Sequence, residues 1–209
     1  MMQQRLKIEI CAARDVRKKL FCSRLPFRRK VGSVLSIENP GYEAVRAQYP
    51  DADLTRRGFA PRLDPADGIP QLILQFHDSE HTGAVPRRGP LILATPEQIA
   101  QIVAFGQKHW EQSPGKTLLV HCAQGVARST AAALTIMAAF QLAQKGICDP
   151  QDCAARILRI RPRASPDPHM AALADEYLGL SGVLSRAVYH HPKITRNHTR
   201  HRLALGHSY

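Results

Sequence analysis

Residues 121 to 130 read His121-Cys122-Ala123-Gln124-Gly125-Val126-Ala127-Arg128-Ser129-Thr130. An apolar run, Thr117-Leu118-Leu119-Val120, leads in, and Ala131-Ala132-Ala133-Leu134 leads out. A strand thus ends on a thiol, the chain turns through small or flexible residues, and an arginine followed by a hydroxyl opens a helix. The backbone N–H groups of Ala123, Gln124, Gly125, Val126, Ala127 and Arg128 can curl into a nest at that helix N-terminus. There the partial positive charge attracts a dianion and favours the thiolate form of a cysteine. Gly125 supplies a left-handed backbone conformation that closes the loop, and the planar fork of Arg128 matches two oxygens of a phosphoryl group in a way lysine does not.

Read blandly, the same residues are a buried cysteine at a strand end with an arginine on the next helical turn. A rhodanese-like sulfur carrier also places Cys at a strand end, but its spacing to Arg fits less well. The combination of His-Cys, central Gly, Arg and a following hydroxyl meets by chance in a chain of this length with odds on the order of 1 in 10,000 or less, from average residue usage. The segment resembles the signature of the cysteine-dependent protein tyrosine phosphatase superfamily: His-Cys, five residues, Arg, then Ser or Thr. The resemblance implies a phosphomonoester hydrolase that forms a cysteinyl-phosphate. Within the superfamily the chain is most similar to dual-specificity-like bacterial tyrosine phosphatases.

Thiolate attack on a phosphate monoester expels an alkoxide or phenoxide, and a positioned acid that protonates it is worth about 10²- to 10⁴-fold. Asp78 is the candidate, just after the strand-like run Gln71 to Phe76, whose carboxyl end opens on the same side of a parallel sheet as Cys122. The resemblance also implies an Asp on a loop upstream of the cysteine, in a subgroup as a His-Asp pair like His77-Asp78. Glu80 is the second candidate, and Asp64 and Asp67 are weaker ones; a turn-capping role for Asp78 stays open. The stretch His77-Asp78-Ser79-Glu80-His81 also carries metal-ligand types, but with no third distant ligand cluster it reads as loop residues around an acid.

Ser129 is placed to donate a hydrogen bond to the Cys122 sulfur, stabilising it as a leaving group, or simply to cap the helix start. His121 is expected to orient the cysteine loop rather than act as the base. Arg161-Pro162-Arg163-Ala164-Ser165-Pro166-Asp167 resembles a segment of the bacterial subgroup in which Asn stands where Asp167 does. The resemblance would give that position a part in placing the hydrolytic water, and a plain helix cap is the other reading.

These residues need a scaffold. The chain has 209 residues, enough for one substantial core. Val31 to Ile37, Gln71 to Phe76 and Thr117 to Val120 read as strands, and Ile8 to Cys11 is a short apolar run. Asn39-Pro40-Gly41 is a turn, Tyr42 to Tyr49 a helical stretch, and residues 51 to 70 and 77 to 90 are irregular. Thr95-Pro96-Glu97 starts a helix with Ile99, Ile102, Val103, Phe105 and Trp110 at helical spacing. An alanine-rich helix follows the cysteine loop and stops at Gly146; further helices are expected from Pro150 to Arg161 and from Met170 to Leu180. Strands alternating with helices predict one α/β domain over residues 1–189, with a central, mainly parallel sheet and helices on both faces.

Net charge is +12 with a pI near 10.0. No acidic residue follows Glu176, while Arg186, Lys193, Arg196, Arg200 and Arg202 do, so residues 190–209 are expected to be a basic, flexible tail. Such basic ends favour anionic partners. The cysteines at 11, 22, 122, 148 and 153 suggest neither a disulfide framework nor a zinc ribbon, and the N-terminus is a poor secretory signal, so a reducing cytoplasm is expected. No apolar run is long enough to span a membrane.

The expectation is a phosphatase that works without metal or cofactor, most naturally on phosphorylated protein. Two alternatives stay open. One is an enzyme for a polyanion such as an inositol phosphate, a nucleotide or an RNA 5′ end, encouraged by the charge and by Arg87-Arg88. The other is a phosphate-binding pseudophosphatase. Lysines inside the loop, usual in superfamily members that take phosphoinositides, are absent.

Overall fold

The computed structural model describes residues 6–21, 31–80 and 90–205. Cys22, His81, Arg87 and Arg88 lie outside the described residues. Four strands, β1 (Lys7–Ala12), β2 (Val31–Glu38), β3 (Gln71–Gln75) and β4 (Thr117–Cys122), form one sheet in the order β1-β4-β2-β3. Every neighbouring pair is parallel. Because all strands run the same way, their carboxyl ends open on one edge. That edge collects Ala12, Cys122, Glu38 and the Gln75–Asp78 segment, and β4 lies inside the sheet between β1 and β2.

Alternation along the strands divides the core. Ile10, Leu35, Ile37, Leu74, Leu118, Val120 and Cys122 face the large cluster, which also takes Ile99, Ile102, Leu134, Ile136, Met137 and Ile157 from the helices α3 (Pro96–Gln112), α4 (Arg128–Lys145) and α5 (Pro150–Ile160). Burial of each large side chain contributes about 1.5–3 kcal/mol. Cys11, Val34 and Leu119 point the other way, against Val16 and Leu20 of the short helix α1 (Val16–Phe21) and against Leu63 and Ile69. Among the described residues, the second face is covered by the short helix α1 and the loop carrying Leu63 and Ile69. The remaining helices are α2 (Tyr42–Gln48), α6 (Pro168–Leu178), α7 (Val183–His190) and α8 (Pro192–Ala204).

Helix α3 starts on a capping box in which Thr95 and Gln98 satisfy each other's backbone N–H groups. Helix α4 has every residue from Arg128 to Gln141 buried and stops where Gly146 adopts a left-handed φ of 71°. Its small residues let it approach the sheet and α3 closely; a Cβ on Gly106 of α3 would sit 2.8 Å from Ile136.

The expected flexible tail is corrected. Residues 192–204 form α8, with Ile194, Asn197, His198 and His201 buried. Three of these four are polar, so the segment shows no apolar period, and its order depends on polar partners elsewhere in the fold.

Candidate active site

Cys122 ends β4 and is 3 % exposed, at the floor of the loop that joins the strand to α4. The loop is held by its carbonyls. Ala123 O accepts from Ala13 N at 3.3 Å, Gln124 O from Arg161 Nη2 at 3.0 Å, and Gly125 O from Arg161 Nε at 2.8 Å. Val126 O accepts from Ser165 N at 3.1 Å and Ala127 O from Thr130 Oγ1 at 2.9 Å. A trans peptide points its N–H opposite to the preceding C=O, so carbonyls turned out to the scaffold turn the amides of Gln124 through Arg128 inward over the cysteine.

Gly125 has φ 69°, and a Cβ there would lie 2.5 Å from the carbonyl carbon and oxygen of Cys11. The loop crosses the end of β1 too closely for any side chain. The N-cap of α4 is Ala127, which offers no side-chain cap, whereas Thr95, Asp149 and Asp167 cap α3, α5 and α6. The uncapped, positive end of α4 is thus aimed at the space above Cys122.

Arg128 is 4 % exposed. Its Nη1 donates to Asn39 Oδ1 at 2.8 Å and to the Phe76 carbonyl at 2.7 Å, and its Nε is buried with no hydrogen-bond partner among the described residues. One corner of the guanidinium is therefore fixed to the ends of β2 and β3, and another donor is left for an anion. Ser129 Oγ lies 3.2 Å from Cys122 Sγ. His121 is fully buried with Nε2 2.7 Å from Ser36 Oγ on β2; burial pushes its pKa down to about 4, the Cys122 backbone and the Glu38 charge offsetting only part of this, so the ring is neutral. Its hydrogen bond braces the neighbouring strand.

Asp78 is 8 % exposed and follows β3 on the same edge. Its Oδ1 accepts from Glu80 N at 3.2 Å, and its Oδ2 lies 3.5 Å from His201 Nε2, an ion-pair distance at which Nε2 makes no hydrogen bond among the described residues. Burial raises the Asp78 pKa, but the His201 imidazole, the Arg128 charge and the Glu80 amide outweigh it, and the net direction is downward. Ser79 is gripped by Asp167: Ser79 N donates to Oδ2 at 2.8 Å and Ser79 Oγ to Oδ1 at 2.9 Å. Asp167 also caps α6 through Met170 N at 3.1 Å. Burial and the Asp78 charge raise the Asp167 pKa, against the Ser79 and Met170 amides.

Other sequence candidates fall away from the cradle. Asp64 is exposed and caps the turn at Pro65–Asp67, to which Asp67 belongs. His77 accepts from Ile92 N at 3.0 Å through Nδ1 and so pins the strand end. A ligand-type cluster does exist, but with different members: Asp78, Glu80 and His201 bring their ligand atoms within 4.8 Å of one another. These groups already meet as pairs, Asp78 with His201 and Glu80 Oε1 with His198 Nδ1 at 3.3 Å.

Four residues that matter to this geometry were not singled out from the sequence: Asn39, Glu38, His198 and His201. Glu38 is fully buried and takes a bidentate ion pair from Arg62, at 2.7 and 2.8 Å, which fastens residues 58–62 beside the cradle, where a Cβ on Gly58 would lie 2.7 Å from Ala123 Cβ. Asn39 was hidden inside a turn signal.

No protein-family profile and no curated protein matches the chain in sequence. Solved structures match its fold. PTPMT1 aligns with a TM-score of 0.51 at 18% identity, over 83% of this chain and 90% of that one. Human tyrosine phosphatase-like serine/threonine/tyrosine-interacting protein gives 0.52 at 14% identity, over 83% and 92%. DUSP15 gives 0.51 at 15% identity, over 92% and 97%. The chain has the fold of the cysteine-dependent phosphatases. In that fold the cradle around Cys122 and Arg128 lies at the carboxyl edge of the sheet, and no described helix is long and apolar enough to cross a membrane.

Proposed function

We propose that the protein hydrolyses phosphate monoesters through a cysteinyl-phosphate, acting as a protein tyrosine or dual-specificity phosphatase. The observation that carries this is the inward-turned amide cradle over Cys122 with the unpaired Nε of Arg128 beside it. In the first step the Cys122 thiolate bonds to phosphorus while the bond from phosphorus to the leaving oxygen breaks. The loop amides and Arg128 hold the equatorial oxygens, and the leaving oxygen takes a proton from Asp78. In the second step water attacks phosphorus and gives its proton to Asp78. The S–P bond breaks, with Ser129 hydrogen-bonded to the departing sulfur.

A polyanionic, non-protein substrate is the second reading. It is favoured by the net charge of +12, and a fold relative, PTPMT1, has been crystallised in complex with PI(5)P. The lysine-free loop weighs against phosphoinositides and keeps phosphoprotein first. Purified protein assayed on phosphotyrosine peptides, phosphoserine peptides and inositol hexakisphosphate separates the readings. The proposal expects the highest kcat/KM on phosphotyrosine peptide; turnover confined to the inositol phosphate would replace it with the second reading, and no turnover of any of them would overturn both.

A further inference from the structure

Helix α8 is built in a way that packing does not explain. Its buried stripe, Ile194, Asn197, His198 and His201, has the i, i+3, i+4, i+7 spacing of a core-facing helix, yet three of the four side chains are polar. Burying an imidazole or an amide costs stability unless it finds partners, so a helix kept only for packing would carry leucines there. The partners are specific. Asn197 Nδ2 donates to Pro162 O at 3.1 Å and to Ala164 O at 2.8 Å. His198 Nδ1 lies 2.8 Å from Ser165 Oγ and 3.3 Å from Glu80 Oε1. His201 Nε2 lies 3.5 Å from Asp78 Oδ2.

These contacts tie α8 to the segment that holds the cysteine loop. Arg161, just before Pro162, bonds the carbonyls of Gln124 and Gly125, and Ser165 N bonds that of Val126. A helix about 80 residues further along the chain than Cys122 is thus in register with the cradle, and its last buried side chain ends on the candidate acid. The positions of Cys122 and of His201 are fixed by one hydrogen-bonded segment.

We propose that His201 is a positioning residue for Asp78, holding its carboxyl group beside the cradle and sharing one proton with it, so that the acid of the first step is the Asp78–His201 pair. The proposal rests on the reading of Asp78 as general acid. Beside His201 the ionised form of Asp78 is favoured: burial raises its pKa, but the His201 contact first, then the Arg128 charge and the Glu80 amide, prevail. The groups that face it are His201 from α8, Arg128 from α4, Glu80 from its own loop and Asp167 from the start of α6. Those facing His201 are Asp78, Glu80 and Arg128. Burial lowers the His201 pKa, but the Asp78 contact and the Asp78 and Glu80 charges, opposed by Arg128, raise it on balance.

The proton that Asp78 cannot keep is therefore held by its neighbour. In the first step it moves from His201 Nε2 to Asp78 Oδ2 and on to the leaving oxygen, leaving a neutral imidazole and a carboxylate. In the second step the proton abstracted from water returns by the same route, so the pair is unchanged over the cycle. Two groups coupled this closely titrate as a unit. The basic limb of the pH–rate profile then belongs to the pair.

The test is the pH dependence of kcat on a phosphotyrosine peptide for the full chain, wild type, Asp78→Asn and His201→Gln. Asp78→Asn should flatten the basic limb; if it does not, the acid reading itself fails, independently of His201. Given that flattening, His201→Gln should move the limb by at least about one pH unit, with kcat on that limb changed about tenfold and KM within about twofold, since one unit is tenfold in protonated acid. A limb that stays in place with only its height reduced would overturn the proposal. Should His201→Gln not fold, the imidazole resonance of His201 in the wild type and in Asp78→Asn decides: its titration midpoint should drop in the variant, and an unchanged midpoint would overturn the pairing.

Discussion

Arg161 and Gly125 are joined by a hydrogen bond of 2.8 Å from the guanidinium Nε to the loop carbonyl, with a second bond from Nη2 to Gln124 O at 3.0 Å. The end of α5 thereby sets the orientation of two peptide planes in the cradle. Arg161→Lys keeps the charge but loses the fork, which supplies both bonds at fixed spacing. Turnover on phosphotyrosine peptide should fall about ten- to hundredfold in kcat/KM, at about 1.4 kcal/mol per tenfold. Steady-state kinetics with circular dichroism on the same sample checks this; unchanged kcat/KM would mean the loop holds its shape unaided.

Gly125→Ala tests the close crossing of the loop over β1. The added Cβ would meet Cys11 backbone at 2.5 Å, on a residue already at φ 69°. Backbone cannot yield as a flexible side chain can, so the loop must move. Activity should drop below about 1% of wild type, a loss of roughly 3 kcal/mol in transition-state binding. Oxyanion affinity, read by vanadate titration, should weaken in parallel, and vanadate affinity at the wild-type level would contradict the described loop geometry.

Activity is expected to survive EDTA, because the attacking atom is a sulfur and not a metal-bound water. Assays before and after chelation, with zinc added back, check it. Chelator-sensitive activity restored by zinc would turn attention to Asp78, Glu80 and His201, whose ligand atoms converge.

Glu38 gives a prediction about stability. Its burial raises its pKa, but the bonds from Arg62, Gln75 and the Ala60 amide prevail and the net shift is downward. A carboxyl whose folded pKa is depressed contributes stability that is present above its unfolded pKa, near 4.5, and lost as pH falls through the lower folded value. Glu38→Gln should therefore lower the melting temperature at pH 7 and flatten its decline below pH 5. The loss at pH 7 should be on the order of 1 kcal/mol, less than for a fully buried pair, because Arg62 is one-third exposed and keeps its solvent when Glu38 is neutralised. Calorimetry from pH 3 to 7 on both proteins decides; parallel curves would mean the pair contributes no pH-dependent stability.

The sequence discloses what is local. The cysteine loop is a contiguous run, and β2, β3, β4, α3 and α4 announce themselves by apolar runs, an N-cap threonine and a stop glycine. Asn39, by contrast, meets Arg128 across 89 positions, and nothing in Asn39-Pro40-Gly41 distinguishes a turn from a guanidinium acceptor. The short helix α1 lacks a long apolar stripe, and α7 follows Leu180 after only a brief turn at Ser181 and Gly182. Helix α8 was misjudged for a different reason. Its buried face is polar, and hydropathy carries no sign that His198 and His201 have acidic partners more than a hundred positions away.

The most direct test of the account is to trap the intermediate. Full-length protein mixed with an excess of aryl phosphate should be quenched within the first turnover and digested under conditions that preserve thiophosphates. The peptide containing Cys122 should carry one phosphoryl group in wild type and Asp78→Asn and none in Cys122→Ser, which should also lose all turnover while still binding vanadate. Phosphoryl group on another residue, or turnover by Cys122→Ser above a few per cent of wild type, would contradict the assignment of Cys122 as the nucleophile.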